Sequence, residues 1–403
     1  MNFDLRKHTH LMVVAGSRAY GIHTEASDVD VKGVAVPPAA YFLGYLQNFD
    51  QADKASQMEP FIELMNGEEK AAIAREKIEG SVYNLVKFVK LAADCNPNIL
   101  DVLFCRDEEV RLATPLGRKL REAAPQFISA KAKHTFSGYA AAQLKRIKGH
   151  RAWLINPPSH KPTREEFGLP EFTLIPKDQL AAVSAAVSKQ IDRWEIDFGT
   201  MADSEIVHVQ GHIAKFLAEF TTALEGQPDV DDAKFLAAAR VVGVDDNLIL
   251  VMQREREYQS AARHFQQYVN WKKQRNPARA ALEEAHGFDS KHGAHLVRLL
   301  RMGREIMETG KVHVWRGAGD GPNDREELLG IRNGAWSYDE LVEWAEAEDK
   351  ALQDMYKQRQ YVVPGQPDRM ALDKLTVELV EEALGLSPGP MVFVAGSIHT
   401  VNM

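Results

Sequence analysis

The chain has 403 residues, 45% of them hydrophobic and 26% charged, with a formal net charge of −8. That length suits about two domains, or one domain with a large helical part appended, and the composition is that of an ordinary globular protein. The acidic balance excludes a wholly basic nucleic-acid binder, so any such surface must be local. Two cysteines, Cys95 and Cys105, are too few for a disulfide framework or a cysteine-rich zinc site, and read as two small buried apolar residues in a reducing cytosol. The opening MNFDLRKHTH has no apolar run, and no stretch reaches the ~20 apolar residues of a membrane span, so we expect a cytoplasmic protein with no membrane role.

The apolar run HLMVVAG at 10–16 predicts a buried strand ending in a sharp turn. DVDVKGVAV at 28–36 alternates and predicts a second strand, stopped by Pro37-Pro38. Residues 45–70 carry no clear period. A third strand is expected within 73–83, with Gly80 at its end or at the turn into a helix over 82–94, which Asn96-Pro97 closes. ILDVLFC at 99–105 fits either a strand or a short helix. Strands alternating with helices indicate an α/β unit. Residues 111–152 read as helix. The prolines at 157, 158, 162, 170 and 176 forbid regular helix over 153–178 and mark a boundary. Beyond it the pattern predicts helices over 178–199, 203–225, 231–242, 246–271, 276–285, 289–309, 337–358 and 370–384, with a less regular stretch at 312–333. The expected fold is α+β, a mixed-sheet core plus a larger, mainly helical C-terminal part. The expected divisions are 1–110, a basic connector over 111–178, and 179–403.

The chemistry is concentrated in GSRAYGIHTEASDVDVKGV at 16–34. Gly16 and Ser17 follow a strand and open a helix, where outward-pointing N–H groups suit an anion such as a triphosphate; Gly16 permits close backbone approach. Tyr20 and Gly21 are read as shaping the loop that follows. Arg18 is balanced between a phosphate contact and a structural ion pair. Asp28 and Asp30 stand two apart on a strand, which puts both carboxylates on one face. Two carboxylates held together repel unless a cation sits between them, and Mg²⁺ takes one or two carboxylates plus substrate phosphates. A phosphate grip facing a metal clamp is equipment for phosphoryl transfer.

This arrangement, Gly-Ser, a gap of about ten residues, then Asp-hydrophobic-Asp, resembles the signature of the DNA polymerase β nucleotidyltransferase superfamily. GSRAYG with SDVDVKGV is similar to a bacterial and phage branch of RNA-repair type. EGSVYNLVKFVKLA with NPNILDVLF, the basic KHGAHLVRLLRMGREIMETGKV, and LLGIRNG extend the likeness over most of 10–110 and much of 289–360. The resemblance implies two Mg²⁺ (or Mn²⁺) ions held by Asp28, Asp30 and a third acid that helps remove the acceptor's proton. The branch pattern puts that acid at Glu79, with Asp101 as the competing candidate. It also implies that Gly16, Ser17 and Arg18 bind the nucleotide, and that Lys291, His295 and Arg298 face the cleft and touch triphosphate or acceptor.

The expected reaction is transfer of a nucleoside monophosphate from an NTP to a hydroxyl, with RNA as first choice of acceptor. The alternatives are nucleotidylation of a protein or small-molecule hydroxyl and a non-catalytic nucleotide-binding or antitoxin-like module. Residues 131–164 carry eight Lys or Arg and no acid. Lys145, Lys148 and Arg151 fall near one helix face and, with Tyr139 and Trp153, suit a nucleic-acid backbone and a stacked base, or else form a solvated face. His208 and His212 have i, i+4 spacing but no apparent third ligand. The closing MVFVAGSIHT echoes VVAGS without the acidic pair and is read as chance.

Overall fold

The computed structural model describes residues 3–25, 27–75, 78–172, 239–241, 246–275 and 277–386, with a few single positions between 182 and 243. The chain divides into two compact units, Met1–Ile155 with Pro277–Met403, and Asn156–Asn276. The expected divisions at 110 and 178 differ from these boundaries. The first unit runs on through 111–155, whose long helix packs along a helix of the C-terminal part.

The first unit starts with β1 (Thr9–Ala15), the single turn α1 (Gly16–Ala19), β2 (Val29–Ala35), α2 (Ala40–Leu43), β3 (Gln51–Ala52), α3 (Ala55–Met58), α4 (Gly67–Arg75) and β4 (Ile78–Asn84). It continues with α5 (Leu85–Ala93), α6 (Pro97–Phe104), β5 (Val110–Ala113), α7 (Pro115–Glu122) and α8 (Lys131–Ile155). The five strands form one mixed sheet in the order β3-β4-β2-β1-β5. β2 pairs with β1 antiparallel and with β4 parallel, and β5 pairs with β1 antiparallel. In the second unit the described residues form a short turn at Glu165–Phe167 and α9 (Asp246–Gln274). There Arg164 clasps Glu255 through two 2.8 Å hydrogen bonds.

From Leu11 to Ala15 β1 is apolar without interruption because it is buried on both faces. Leu11 and Val13 enter one core, Met12 and Val14 the other. β2 divides the same way along its length. Val29 and Val31 point into the second core, whereas Val34 and Val36 join the first. With period-two geometry, Asp28, Asp30 and Lys32 share the face of Val34 and Val36. The polar end of β2 therefore opens toward the side on which α5, α6, α8 and the C-terminal helices pack.

Local expectations over 73–94 and 111–152 change, and the open choice at ILDVLFC resolves. Residues 73–75 belong to α4, and β4 runs from Ile78 through Gly80 to Asn84, so Gly80 is interior to the strand. It is glycine because an added Cβ would lie 2.1 Å from the Val31 carbonyl of the neighbouring strand. The following helix starts at Leu85, where the Asn84 side chain accepts from Val86 N–H as its cap. ILDVLF is helical, opened by the Asn96 cap and Pro97. The expected continuous helix over 111–152 is an edge strand, a short helix capped by Thr114 and opened by Pro115, and then α8.

The C-terminal part of this unit is helical: α10 (Pro277–His286), α11 (Ser290–Thr309), α12 (Arg325–Arg332), α13 (Tyr338–Lys357) and α14 (Arg369–Leu384). The stretch 312–333 thus ends in a helix rather than remaining irregular. The helices expected over 178–199, 203–225 and 231–242 fall largely outside the described residues, as do His208, His212 and MVFVAGSIHT. Among the described residues no helix is long and apolar enough to cross a membrane.

Candidate active site

The strand register brings the acids together. Ala15, the last residue of β1, pairs with Asp30, and on the other side Asp30 pairs with Glu79 of β4. Carboxylate oxygens of Asp28, Asp30 and Glu79 all lie within 4.8 Å of one another. Gly16 sits against this cluster with φ +63°, and a Cβ there would come 2.2 Å from Asp30 Oδ2. The backbone at the Gly-Ser turn and the Asp30 carboxylate are in direct apposition, and only glycine leaves the room. Ser17 follows at the start of a helix of four residues. So short a helix has few aligned peptides to build a dipole, and what it offers an anion is chiefly the first N–H groups, which have no intrahelical acceptor.

Electrostatics follow from this crowding. Burial, with the Asp28 charge next in importance, pushes the Asp30 carboxyl up to about 6; Lys32 and Lys291 oppose the rise, and Glu79 adds to it. Lys32 is a charged neighbour of the cluster that the motif does not single out. It stands two residues past Asp30 on the same strand face, which was the available signal. Its ammonium donates to the Asn98 carbonyl at 3.0 Å and to the Asn98 side chain at 3.2 Å. Burial lowers its pKa, and Asp101 and Asp30 partly restore it.

Asp101 stands apart from the three-acid cluster. It is 2% exposed on α6, and the Tyr20 hydroxyl donates to its Oδ2. Burial holds the Tyr20 phenol well above its ordinary range. Arg298 is also 2% exposed and lies over the Tyr20 ring, with its guanidinium carbon 3.6 Å from the ring centroid. Tyr20, Asp101 and Arg298 thus form the packed layer beneath the loop. Of the three α11 residues, Lys291 is exposed and within electrostatic reach of Asp30. Burial first, then the Arg298 charge, depresses His295 well below its ordinary pKa and keeps the imidazole neutral. Arg298 contacts Tyr20 rather than facing open space. Arg18 is mostly buried, pairs with Glu68 at 2.8 Å and reaches the Asp28 carbonyl at 3.4 Å. Its structural role is thereby visible: it anchors the backbone that carries Asp28.

The C-terminal segments hold the loop that joins the Gly-Ser turn to the aspartates. Arg316 N–H donates to the Tyr20 carbonyl at 3.1 Å, Arg325 Nε donates to Gly21 O, and Arg332 Nη1 donates to Ile22 O at 2.9 Å. The Arg316 side chain is itself fully buried between Glu305 and Asp324, making two hydrogen bonds of 2.7–2.9 Å to each. Gly21 has φ +74°, and the Trp315 ring packs where its Cβ would be. Arg332 of LLGIRNG, and Glu305 of MGREIMETGKV through its pairing with Arg316, tie these two segments to the N-terminal motif.

The basic helix α8 is largely committed. Lys148 pairs with Glu346 at 3.2 Å. Arg151 donates to the Gly287 carbonyl at 2.9 Å and lies over the Tyr338 ring. Trp153 stacks on His150, and the Tyr139 hydroxyl accepts from Asn96. Lys145 is exposed. Cys95 and Cys105 are buried free thiols, and burial pushes Cys105 up to about 12.

Neither a curated protein nor a solved structure matches the chain. Residues 6–154 match the model of the RlaP family, described as RNA repair pathway DNA polymerase beta family, and over that stretch the chain's resemblance to polymerase β-type nucleotidyltransferases of RNA-repair type is established.

Proposed function

We propose that this protein transfers a nucleoside monophosphate from an NTP to a hydroxyl of RNA and releases pyrophosphate. The observation that carries the reading is the apposition of three carboxylates, mutually within 4.8 Å, to a glycine backbone that leaves no room for a Cβ. An all-oxygen donor set of this kind fits Mg²⁺ or Mn²⁺, and Asp28, Asp30 and Glu79 would hold two such ions. When bound, the ions lower the pKa of the attacking hydroxyl and offset charge on the reacting phosphate.

The chain's own groups account for the rest. Amides at Gly16 and Ser17, with the Ser17 hydroxyl, orient the triphosphate. Lys291 supplies positive charge on the side of Asp30. Glu79, beside Asp30 on the next strand, takes the proton of the acceptor hydroxyl. The acceptor oxygen forms its bond to the α-phosphorus as the bond from that phosphorus to the β-bridging oxygen breaks. The electron pair leaves with pyrophosphate. Lys32, Tyr20, Asp101 and Arg298 act as positioning residues beneath the site.

RNA as acceptor rests on the family match over 6–154 and on the basic stretch of α8. A second reading, nucleotidylation of a protein or small-molecule hydroxyl, draws support from the engagement of Lys148 and Arg151 in internal contacts and from the net charge of −8. Incubation with each α-labelled NTP, total RNA and total protein, with and without Mg²⁺, separates the two. Magnesium-dependent label in RNA is the expected result. Label in protein alone transfers the assignment to the second reading. NTP binding without label in any acceptor makes the protein a nucleotide-binding module and ends the catalytic proposal.

A further inference from the structure

A second group of metal-ligating side chains lies on other elements of the first unit. His150 on α8, Glu283 on α10 and Asp289 at the N-cap of α11 bring one ligand atom each within 4.8 Å of the others. Glu283 and Asp289 are each 1% exposed. Asp289 uses Oδ1 to accept from the His292 N–H at 3.1 Å, and its Oδ2 lies 3.7 Å from His292 Nε2. The rings of His150 and His292 are 6.2 Å apart, and Trp153 stacks on His150. His292 Nε2 also lies 3.4 Å from Arg146 Nη1, so the ligand atoms that converge are those of His150, Glu283 and Asp289, one residue from each of α8, α10 and the N-cap of α11.

Two carboxylates held this close and this deep repel each other strongly unless positive charge lies between them. The Arg146 guanidinium, 3.4 Å from His292 Nε2, and a protonated His150 are two sources. A divalent cation is a third, and the donor set discriminates among cations. The cluster at Asp28, Asp30 and Glu79 is all oxygen and suits a hard ion. Mixed nitrogen and oxygen donors suit a borderline ion, with zinc the usual occupant of four-coordinate sites built from His and carboxylate. Ligand bonds of about 2.0–2.2 Å would need these side chains to close in on the ion.

We propose that His150, Glu283 and Asp289 hold a single Zn²⁺-class ion, with water completing its four-coordination, separate from the three-acid site. Its place in the fold gives it a task. It ties α8 and α10 to the first turn of α11, the helix that carries Lys291, His295 and Arg298. The proposal is independent of the nucleotidyl-transfer reading, since it requires no substrate.

The test uses the full-length protein stripped of metal with a chelator and titrated with Zn²⁺ alone, bound ion being counted by elemental analysis and stability by thermal melting. Co²⁺ is the spectroscopic probe, because a four-coordinate site gives strong visible bands. We expect one Zn²⁺ per chain, a raised Tm, and tetrahedral Co²⁺ bands. His150→Gln and Glu283→Gln abolish all three, whereas Asp30→Asn leaves them in place. His150→Gln is the decisive variant, because His150 is not a helix cap and its loss leaves the α11 cap intact. No bound zinc together with an unchanged Tm identifies an imidazolium–carboxylate cluster and overturns the proposal. So does zinc binding that persists undiminished in both variants.

Discussion

Asp30 is held between three requirements. The strand register fixes it beside Glu79, the Gly16 backbone closes one side of its carboxylate, and Asp28 repels it from the other. Burial and that repulsion raise its carboxyl to about 6, so the folded ion-free protein retains a proton that the unfolded chain has released from roughly pH 4 upward. The folded state therefore binds more protons across that window, and its stability falls as pH rises through it. A divalent ion replaces the proton. We expect the Mg²⁺-induced rise in Tm to be large near pH 7.5 and to shrink at about pH 5, where Asp30 is protonated. A Tm shift equal at both values removes Asp30 from the metal site. Asp30→Asn takes away the charge that the fold resists, so its ion-free Tm equals or exceeds the parent's, while nucleotidyl transfer falls by at least ~10²-fold. Near-parent turnover in this variant excludes Asp30 from the chemistry.

At the scale of elements, the two candidates for the third acid differ in the secondary structure they occupy. Glu79 lies on a strand in parallel register with Asp30, whereas Asp101 lies on α6, buried against Tyr20. Glu79→Gln is expected to lower the rate of transfer by about 10²-fold or more with little change in Tm. Asp101→Asn keeps its shape but loses a charged acceptor buried beside Tyr20, and is expected to lower Tm more than it lowers the rate. The reverse pattern exchanges their roles. The sequence made the two aspartates and the Gly-Ser turn legible because period-two alternation and a glycine before a helix are local signals. β1 and β2 were legible for the same reason. β4 was placed with the wrong boundaries because its Gly80 answers to the Val31 carbonyl on a strand about fifty residues away, a contact that no local pattern records. β5 falls inside an expected helix because four residues, Val-Arg-Leu-Ala, are too few for the alternation of Val110 and Leu112 about Arg111 to register, although Thr114-Pro115 after it is a cap signal that marks the change. The roles of Arg18 and Arg298 were not legible, since Glu68 and Tyr20 become their partners only through tertiary packing.

In the first unit as a whole, the motif at 16–34 is supported from the opposite end of the chain. Arg316, buried between Glu305 and Asp324, anchors the segment whose backbone and arginines hold the carbonyls of Tyr20, Gly21 and Ile22. Removing one partner from a buried charged group leaves the others uncompensated. Arg316→Met is expected to cost about 3–5 kcal/mol of stability, and an N-terminal fragment lacking this part should not form the site. A melting curve unchanged from the parent's dismisses the anchor. The reach of the molecule toward its acceptor is a matter of charge that remains uncommitted. On α8, Lys148 is paired and Arg151 holds a carbonyl, whereas Lys145 is exposed. If single-stranded RNA runs along this helix, each neutralised phosphate contributes about −0.7 to the slope of log K against log salt. Lys145→Ala should then weaken RNA binding at low salt and flatten that slope by about 0.7. Lys148→Ala should flatten it less, because its ammonium already lies against Glu346, and should cost at most about 1 kcal/mol of stability as an exposed pair. An unchanged slope for Lys145→Ala takes α8 out of acceptor recognition. The acidic balance of the chain would then weigh toward an acceptor other than a polyanion, with the three carboxylates serving the same transfer.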